Sequence, residues 1–460
     1  MSQLRPCKVI ISGGGLAGLG LALTLEKAGV DYQLLEAYPD IIPKVGSGIC
    51  ILVNALSILD QLGCYEDIAA RSTPLETIDF RASDGESLAT SANWETVLPE
   101  KYGYPFLWMV RSTILEVMYE HIVDKSKILT GKRVESVQNS EDRVEVTTTD
   151  GSVYHGDIII GADGVNSSVR REIQRHATQR NLGPEYTEQN GKSNLTFQYH
   201  IANISTELPA TYGCMYGMSP ALPGLPKACL DFRVNKRSSS LIGTGPEDRT
   251  FWFLYKHLGR TFNGAEIPRF NQEDSLKVAK EHWDEVISPG IKLSDLYESK
   301  KTVLFSAMPE FVFSKWHLDR MFILGDAAHP MSSIIAQGGG QAMESMACLV
   351  NNLIPALSDD SKTGKLSADE INAIFERTQE MRLPKIKSIV ATAHQRQRMD
   401  TMETPELEDL MLNKFPKIMC DVLVQRWNDA FLDATSLDIF PTPVRLQTAR
   451  DTRVPETPRL

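Results

Sequence analysis

The sequence lacks an excess of positive charge, a long apolar run and a regular set of cysteines. A formal net charge of −11 over 460 residues argues against nonspecific binding to nucleic acid or to an anionic membrane. No uninterrupted apolar run reaches the roughly 18 residues that a membrane-spanning helix needs. The longest runs, such as Met321–Leu324, are only as long as a strand. We therefore expect no nucleic-acid partner and no transmembrane anchor.

The seven cysteines form neither a C-x-x-C pair nor a zinc spacing. An odd and dispersed set is typical of reduced thiols inside a cell, not of a disulfide framework. Met1 to Lys8 lead straight into a predicted strand, which leaves no room for a signal peptide. The composition, 42% hydrophobic and 23% charged, is that of an ordinary globular protein. We predict a soluble, cytoplasmic protein with more than one domain and no metal site.

What is present is a glycine turn between a strand and a helix near the N-terminus. A short apolar strand at Lys8–Ser12 enters Gly13-Gly14-Gly15-Leu16-Ala17-Gly18, and a helix follows over Leu16–Ala28. Tyr32–Glu36 is then a second strand, so the segment predicts a βαβ unit with a right-handed crossover.

This turn has the residues of a dinucleotide fingerprint. Gly13, Gly15 and Gly18 allow a tight turn, close approach of a pyrophosphate and close packing of helix on strand. The helix start at Leu16 and Ala17 offers unpaired N–H groups to the phosphates. Glu36, about 20 residues on, lies where a carboxylate accepts ribose hydroxyls. The alternative is a glycine-rich turn of an unrelated protein.

In each of two later segments, an apolar strand is followed by a glycine and an aspartate. They are Gly161-Ala162-Asp163-Gly164 and Gly325-Asp326-Ala327-Ala328-His329-Pro330. Alone, either aspartate is explained by capping a helix. The order and spacing of the three motifs resemble those of single-component flavin monooxygenases, which makes cofactor contact the better interpretation. On that resemblance, Asp326 would bond a ribityl hydroxyl, and Asp163 would shape the groove beside the diphosphate.

Three further positions are candidates for the site. Gln337-Gly338-Gly339-Gly340-Gln341 opens a predicted helix whose N-terminus would stabilise negative charge on a reduced flavin ring. Arg111 precedes an amphipathic helix and suits a phosphate, with a surface salt bridge as the alternative. His329 is interpreted as structural because Pro330 follows it and no partner is identifiable.

The middle of the chain is predicted to be β-rich. Lys132–Asp157 alternates at strand spacing and indicates a meander, and Ile158–Ile160 is a strand buried on both faces. From about Thr196 to Tyr255 the pattern is aromatic and β-branched, which predicts a separate, mostly antiparallel sheet. Asn271–Ser288 is predicted to be helical, and Thr302–Met308 and Met321–Leu324 to be strands returning to the first domain. Some aromatics of the sheet are candidates for an apolar substrate pocket, with sheet core as the alternative for each: Phe197, Tyr199, Tyr212, Phe232, Trp252 and Phe253.

The last hundred or so residues are predicted to be helical and charged. Ser367-Ala368-Asp369-Glu370 is a capping box, and Pro384 should kink or end the helix that follows.

The chain resembles a group A FAD-dependent monooxygenase of the aromatic-hydroxylase fold, and within that group the fungal epoxidases of meroterpenoid and indole-alkaloid pathways. The resemblance covers most of the chain. Its motifs are the glycine turn with Glu36, Gly46-Ser47-Gly48-Ile49, Leu59-Asp60-Gln61-Leu62-Gly63, Arg111, Gly161–Val169, Lys315-Trp316 with Arg320, Gly325–Pro330, Gln337–Glu344 and Phe440-Pro441-Thr442-Pro443.

The resemblance implies an α/β fold with a Rossmann-like FAD-binding domain of the aromatic-hydroxylase/glutathione-reductase type. We expect that domain to be assembled from residues 1–75, 105–180 and 300–360. A substrate-binding β-sheet domain would come from 76–104 and 181–299, and residues 361–460 would form a C-terminal helical segment and tail. Gly48 joins the expected cofactor contacts on the same ground.

The implied chemistry needs noncovalent FAD, O2 and NADPH as a transient co-substrate. No catalytic side chain is assigned, because a flavin hydroperoxide would deliver the oxygen. The expected reaction is epoxidation or hydroxylation of an electron-rich π bond in a bulky apolar natural product, a prenylated indole alkaloid or meroterpenoid, with rearrangement as a possible sequel. The alternatives are an aromatic-acid hydroxylase of the same fold, an FAD-retaining isomerase or cyclase without oxygen turnover, and a non-enzymatic flavin-binding module.

The chain departs from the family pattern at several positions. Ser333 stands where a proline is usual beside the flavin ring. Ala336 replaces a glycine and Gly340 an asparagine in the flavin loop, while Asn166 and Ser168 replace a histidine and an arginine.

Overall fold

The computed structural model describes residues 4–43, 46–187 and 208–452. Numbered in chain order, the strands are β1 (Lys8–Ser12), β2 (Asp31–Leu35), β3 (Gly48–Ile51), β4 (Thr73–Pro74), β5 (Thr77–Arg81), β6 (Ser87–Ser91), β7 (Leu107–Val110), β8 (Ile128–Leu129), β9 (Val134–Asn139), β10 (Val144–Thr148), β11 (Val153–Gly156), β12 (Ile158–Gly161), β13 (Pro209–Ser219), β14 (Cys229–Asn235), β15 (Ser238–Thr244), β16 (Thr250–Asn263), β17 (Val286–Ser288), β18 (Ile291–Lys292), β19 (Thr302–Met308), β20 (His317–Leu318) and β21 (Met321–Ile323).

The α-helices of the same described ranges are α1 (Leu16–Ala28), α2 (Val53–Gln61), α3 (Tyr65–Ala70), α4 (Trp94–Tyr102), α5 (Arg111–Glu120), α6 (Ser168–Gln179), α7 (Pro184–Thr187), α8 (Gln272–Glu281), α9 (Leu293–Glu298), α10 (Gly338–Leu357), α11 (Ala368–Asp400), α12 (Pro405–Asp409), α13 (Phe415–Phe431) and α14 (Val444–Thr452).

Six of the described strands form a sheet in the order β20-β21-β12-β1-β2-β8. β1 runs parallel to β2 and β12, so Ile10 lies between Gln33 and Ile159. Every residue of β12 is buried, as expected for a central parallel strand covered on both faces. Helix α1 ends at Gly29, which adopts the left-handed conformation with φ 75°. The predicted βαβ unit is confirmed, and the glycine turn lies at the carboxyl end of β1.

The second large sheet joins seven described strands in the order β19-β13-β16-β15-β14-β5-β6. Its pairs are antiparallel except for β14 with β5. The mostly antiparallel aromatic sheet is therefore confirmed from residue 208 onward, whereas residues 196–207 lie outside the described ranges. The meander of β9, β10 and β11 is also confirmed.

The prediction that Thr302–Met308 returns to the first domain was wrong. This strand, β19, pairs with β13 from Thr302 to Met308 and forms an edge of the seven-stranded sheet. Leu304 on it is 55% exposed. A short apolar run specifies a strand but not the sheet that it joins. The other domain boundaries stay a prediction.

Two helix predictions also need correction. The helix expected over Asn271–Ser288 ends at Glu281, and Val286–Ser288 forms β17. Of the two outcomes predicted at Pro384, a kink or an end of the helix, the end was wrong, because α11 continues through the proline from the Ser367 capping box to Asp400. Buried neighbours on both sides of the proline hold the helix together and outweigh the lost backbone hydrogen bond. Among the described residues, no helix has the combined length and apolarity needed to cross a bilayer.

Candidate active site

A cavity of about 500 Å³ lies between the glycine turn, the seven-stranded sheet and helices α10, α11 and α13. Its wall is mostly apolar, and its size suits a small organic ligand. The charged side chains that line it, among the described residues, are Arg111, Asp326, Arg396 and Arg426. No group of His, Cys, Asp or Glu in the described ranges is placed to hold a metal ion.

The glycine turn is tight at two of its three predicted positions. Gly13 has φ +102°, and a Cβ there would lie 2.5 Å from the Ala162 carbonyl oxygen. A Cβ on Gly18 would lie 1.9 Å from the carbonyl oxygen of Gly13. Both positions therefore require glycine, for the turn and for the packing of α1 on β1.

Gly15 differs because it faces open space. A Cβ there would meet only Nη2 of Arg111, at 4.0 Å, and the residue lines the cavity with Leu16 and Ala17. Gly15 caps α1 without any side-chain hydrogen bond, so no side chain takes the first N–H groups of the helix. This is the opening that a phosphate-binding helix start needs.

Glu36 and Asp163 lie behind the turn and do not line the cavity. Glu36 Oε2 accepts a hydrogen bond from the Gly14 N–H at 2.6 Å, and Oε1 accepts one from the Tyr38 N–H at 2.8 Å. Asp163 Oδ2 accepts from the Ser168 N–H at 2.8 Å, as the helix-capping alternative predicted. Its other oxygen, Oδ1, is buried without a partner in the described residues.

Arg111 and Asp326 line the cavity from two different segments of the chain. Arg111 begins α5, and Asp326 lies in a single helical turn, Gly325–Ala327, after β21. Burial lowers the pKa of the Arg111 guanidinium, with Asp326 and Glu36 opposing the shift. Burial raises the pKa of the Asp326 carboxyl, and Arg111 opposes it. Neither side chain hydrogen-bonds to another group in the part of the chain that the structure describes, so both are available to a ligand.

The N-terminus of α10 forms a second helix start on the cavity. Gly338, Gly339 and Gly340 all line it, and the side chain of Gln337, the N-cap residue, accepts no hydrogen bond from the first N–H groups of the helix. A Cβ on Gly340 would lie 2.5 Å from Nδ2 of Asn54 on α2. The amide of Asn54 therefore fills the space in which a side chain at position 340 would begin.

A buried polar network supports this helix start from behind. The carboxylate of Glu344 accepts hydrogen bonds from Asn54 Nδ2 at 2.8 Å and from Arg382 Nη1 at 2.9 Å. Lys385 adds a third, at 3.2 Å. Burial tends to raise the pKa of Glu344, but Arg382 and Lys385 outweigh it and the net shift is downward. The network ties α2, α10 and α11 together.

His329, in the segment that follows β21, contacts this network through Ser345. It is fully buried, its Nε2 lies 3.1 Å from Ser345 Oγ, and its Nδ1 has no partner in the described residues. Burial lowers its pKa to about 3, with Arg382 adding to the effect. His329 does not line the cavity, consistent with its interpretation as structural.

Sequence analysis missed a group that we call the hydroxyl cluster, formed by Tyr216, Tyr255, Ser333 and Cys214. Tyr255 Oη lies 3.2 Å from Ser333 Oγ, and the Cys214 thiol adjoins both tyrosines. The two tyrosines and Ser333 line the cavity. Burial raises the pKa of both phenols well above their usual value. They are therefore neutral donors at physiological pH.

Sequence analysis also missed the wall made by the C-terminal helices. Arg396 on α11 and Arg426 and Trp427 on α13 line the cavity. The signal available in the sequence was a pair of charged residues, Arg396 and Asp400, on the apolar face that includes Ile389.

Some of the aromatic residues that were predicted to line a substrate pocket do line the cavity, and others lie in the hydrophobic core. Phe232 and Phe253 line the cavity. Trp252 does not: its ring packs on the opposite face of the sheet, and its Nε1 donates to Ser219 Oγ at 3.0 Å. Tyr212 is buried core beside His257. Phe197 and Tyr199 lie outside the described residues.

These features fit the cofactor that the motifs predict. The turn has an uncapped helix start and a glycine facing open space, and Arg111 and Asp326 present unsatisfied charge to the same cavity. Asp163, which lies beside Gly13 of the turn, has a buried Oδ1 without a partner in the described residues. An elongated ligand that carries phosphates, ribose hydroxyls and a ring system would meet a complementary group in each place.

The chain matches a family model described as the FAD binding domain over residues 6–208 and 270–373. It is 33% identical over 97% of its length to the FAD-dependent monooxygenase anuJ of Penicillium roqueforti, and it spans 54% of that protein. It is 32% identical to the FAD-dependent monooxygenase olcE of Penicillium canescens, covering 95% of this chain and 90% of the relative. For paxM of Penicillium paxilli, also an FAD-dependent monooxygenase, the identity is 29% over 95% of this chain and 88% of the relative.

Solved structures share the fold. Klebsiella pneumoniae HpxO complexed with FAD and uric acid superposes with a TM-score of 0.72 at 20% identity, covering 93% of this chain and 97% of that one. A salicylate hydroxylase substrate complex gives 0.66 at 17% identity, over 97% and 98% of the two chains. The α/β fold with an FAD-binding domain is thereby confirmed.

Proposed function

This chain belongs to the FAD-dependent monooxygenases, with FAD as its cofactor, and from that premise we propose that it oxygenates an electron-rich π bond of a bulky, mostly apolar secondary metabolite. NADPH is the proposed reductant. The observation that carries the proposal is the apolar cavity, which joins the glycine turn to a wall of aromatic and C-terminal helical residues.

The proposed FAD contacts are the residues that already face the cavity or support its turn. The helix start at Gly15, Leu16 and Ala17 would bind the diphosphate, and Arg111 would add a cation. Glu36 would accept ribose hydroxyls, and Asp326 would accept a ribityl hydroxyl. Asp163, Gly13 and Gly18 would shape the turn, Gly48 would contact the cofactor, and the helix start at Gly338–Gly340 would face the flavin ring. Bound FAD supplies hydride acceptance and the activation of O2.

The remaining task of the protein is to orient the substrate and keep water away. Apolar side chains from the sheet and from α13, such as Phe232, Phe253, Leu423 and Trp427, form the wall that does so. Tyr216 and Tyr255 stay protonated because burial raises their pKa. Each can therefore hold a substrate oxygen by donating a hydrogen bond to it.

The test is coupling of NADPH oxidation to O2 uptake and product formation. We expect a farnesylated phenol to stimulate NADPH oxidation and to form an oxygenated product, because its apolar chain fills the cavity. Salicylate should leave coupling low. Tight coupling with salicylate and none with farnesylated aromatics would overturn the proposal in favour of an aromatic-acid hydroxylase.

A pair of variants on one helix checks that the cavity is the reaction site. Leu423→Trp narrows the cavity and should lower coupling with the farnesylated phenol, whereas Ile418→Trp, at a position 46% exposed on α13, should not. Equal coupling in both variants would place the substrate elsewhere.

A further inference from the structure

Arg426 lines the cavity from α13 without a hydrogen bond or ion pair to any described residue. It is half-buried, and the residues around it on the same wall are largely apolar: Leu423, Trp427 and Ala430 from its own helix and Ile389 from α11. A guanidinium removed from water and left without an acceptor is costly. A ligand that carries an acceptor would relieve this cost.

The neighbouring Arg396 is not in the same situation. Its Nε donates to both carboxylate oxygens of Asp400, at 2.7 and 2.8 Å, and its guanidinium lies over the rings of Phe232 and Phe415 at 4.9 and 5.4 Å from their centroids. Arg396 is therefore held in place and largely neutralised. Asp400 is engaged by that pair, so Arg426 remains as the uncompensated charge.

The charges around Arg426 favour the binding of an acceptor oxygen beside its guanidinium. Burial lowers the pKa of Arg426 to about 10, with Arg396 adding to the effect and Asp400 opposing it. The side chain is still protonated at pH 7, and a negative or strongly polar oxygen would be attracted to it. No lysine and no carboxylate other than Asp326 lines this cavity among the described residues.

We propose that Arg426 is a specificity-determining residue that binds a carbonyl-type oxygen, carboxylate or ester, on the otherwise apolar substrate. This rests on the proposed function in that the ligand is the substrate oxygenated in this cavity. The donor would fix one end of the molecule and so present its π bond to the flavin in one orientation. A carboxylate should bind more tightly than an ester, because a charge-assisted hydrogen bond is the stronger one.

The experiment measures dissociation constants of the FAD-loaded protein from the change in flavin absorbance. The three probes are farnesylated 4-hydroxybenzoate, its methyl ester and the farnesylated phenol that lacks the carbonyl group. In the parent we expect the order acid, ester, phenol from tightest to weakest. Arg426→Gln should weaken the acid roughly ten- to a hundredfold and the ester less, and leave the phenol within about twofold. Arg426→Lys should restore part of the preference for the acid.

Arg377→Gln is the matched control, since it removes one positive charge from an exposed position of α11 and should change none of the three constants. Equal binding of all three probes to the parent, binding of none, or the same loss for all three in Arg426→Gln would overturn the proposal. A different result would contradict the proposed function and leave the role of Arg426 intact: the acid binds in an Arg426-dependent way, but no probe couples NADPH oxidation to product formation.

Discussion

Any side chain at position 340 would need space that Asn54 already occupies beside the cavity. A side chain at position 340 would begin 2.5 Å from the Asn54 amide nitrogen, which donates to Gln337 Oε1 at 3.1 Å and to Glu344 Oε1 at 2.8 Å. The family pattern has asparagine at this position, and in this chain the space where such a side chain would begin is filled by the amide of Asn54.

Gly340→Asn should destabilise the protein by about 1–3 kcal/mol, because Asn54 must move and lose hydrogen bonds. Adding Asn54→Gly should recover much of the loss, since the new amide then has room. Chemical denaturation of the two variants measures both effects.

Gly290→Asn is the control for this pair. Gly290 is exposed, has φ +76°, and a Cβ there would meet nothing within 4 Å. Asparagine tolerates this left-handed conformation better than most residues, so it should cost less than about 1 kcal/mol there. If Gly340→Asn were as stable as the parent, the two residues would not share one space.

The cavity-facing start of α10 depends on ion pairs made further along that helix. Glu344 is fully buried and bonded to Arg382 and Lys385 of α11. Glu344→Ala should cost about 3–5 kcal/mol, because it leaves buried cations without a counter-charge. Thermal or chemical unfolding measures it.

The exposed pair Arg260–Glu266, with side chains 60% and 61% exposed, provides the comparison. Glu266→Gln should change the free energy of unfolding by less than about 1 kcal/mol. A similar small effect for Glu344→Ala would contradict the role given to the network.

Local sequence patterns predicted the elements that carry local signals. The βαβ unit, the helix start at Gln337–Gln341 and the Ser367 capping box were all predicted, because glycine spacing and capping residues act within a few positions. The glycine turn and Asp326 were likewise predicted as cofactor residues, an assignment that stays a prediction.

What local patterns could not predict was tertiary pairing. β19 has the pattern of a strand, but its partner β13 lies about ninety residues away in sequence. Trp252 and Phe253 are adjacent and point to opposite faces, so register alone decides which one lines the cavity. Arg426 reaches the cavity only because α13 packs there.

For the whole molecule, stability should depend on pH through His329. Its folded pKa, lowered by burial to about 3, lies below the unfolded value near 6.5, so the unfolded chain binds a proton first as the pH falls. Its contribution is fully present above pH 6.5 and is lost progressively down to about pH 3. Between pH 7 and 5.5 it should lower the free energy of unfolding by about 1 kcal/mol.

His329→Gln should reduce that pH dependence by the same amount, whatever it does to stability at pH 7. Denaturant unfolding at both pH values gives the difference. An unchanged slope in the variant would show that His329 does not stay neutral in the folded protein.

We propose that FAD, O2 and a bulky substrate meet in one cavity and that one oxygen atom enters the substrate. Mass spectrometry of the product formed from a farnesylated aromatic under 18O2, with NADPH and the FAD-loaded protein, tests this most directly. We expect a product that gains one oxygen atom, and that atom is 18O. A product isomeric with the substrate and free of 18O would contradict it and identify an FAD-retaining isomerase or cyclase instead.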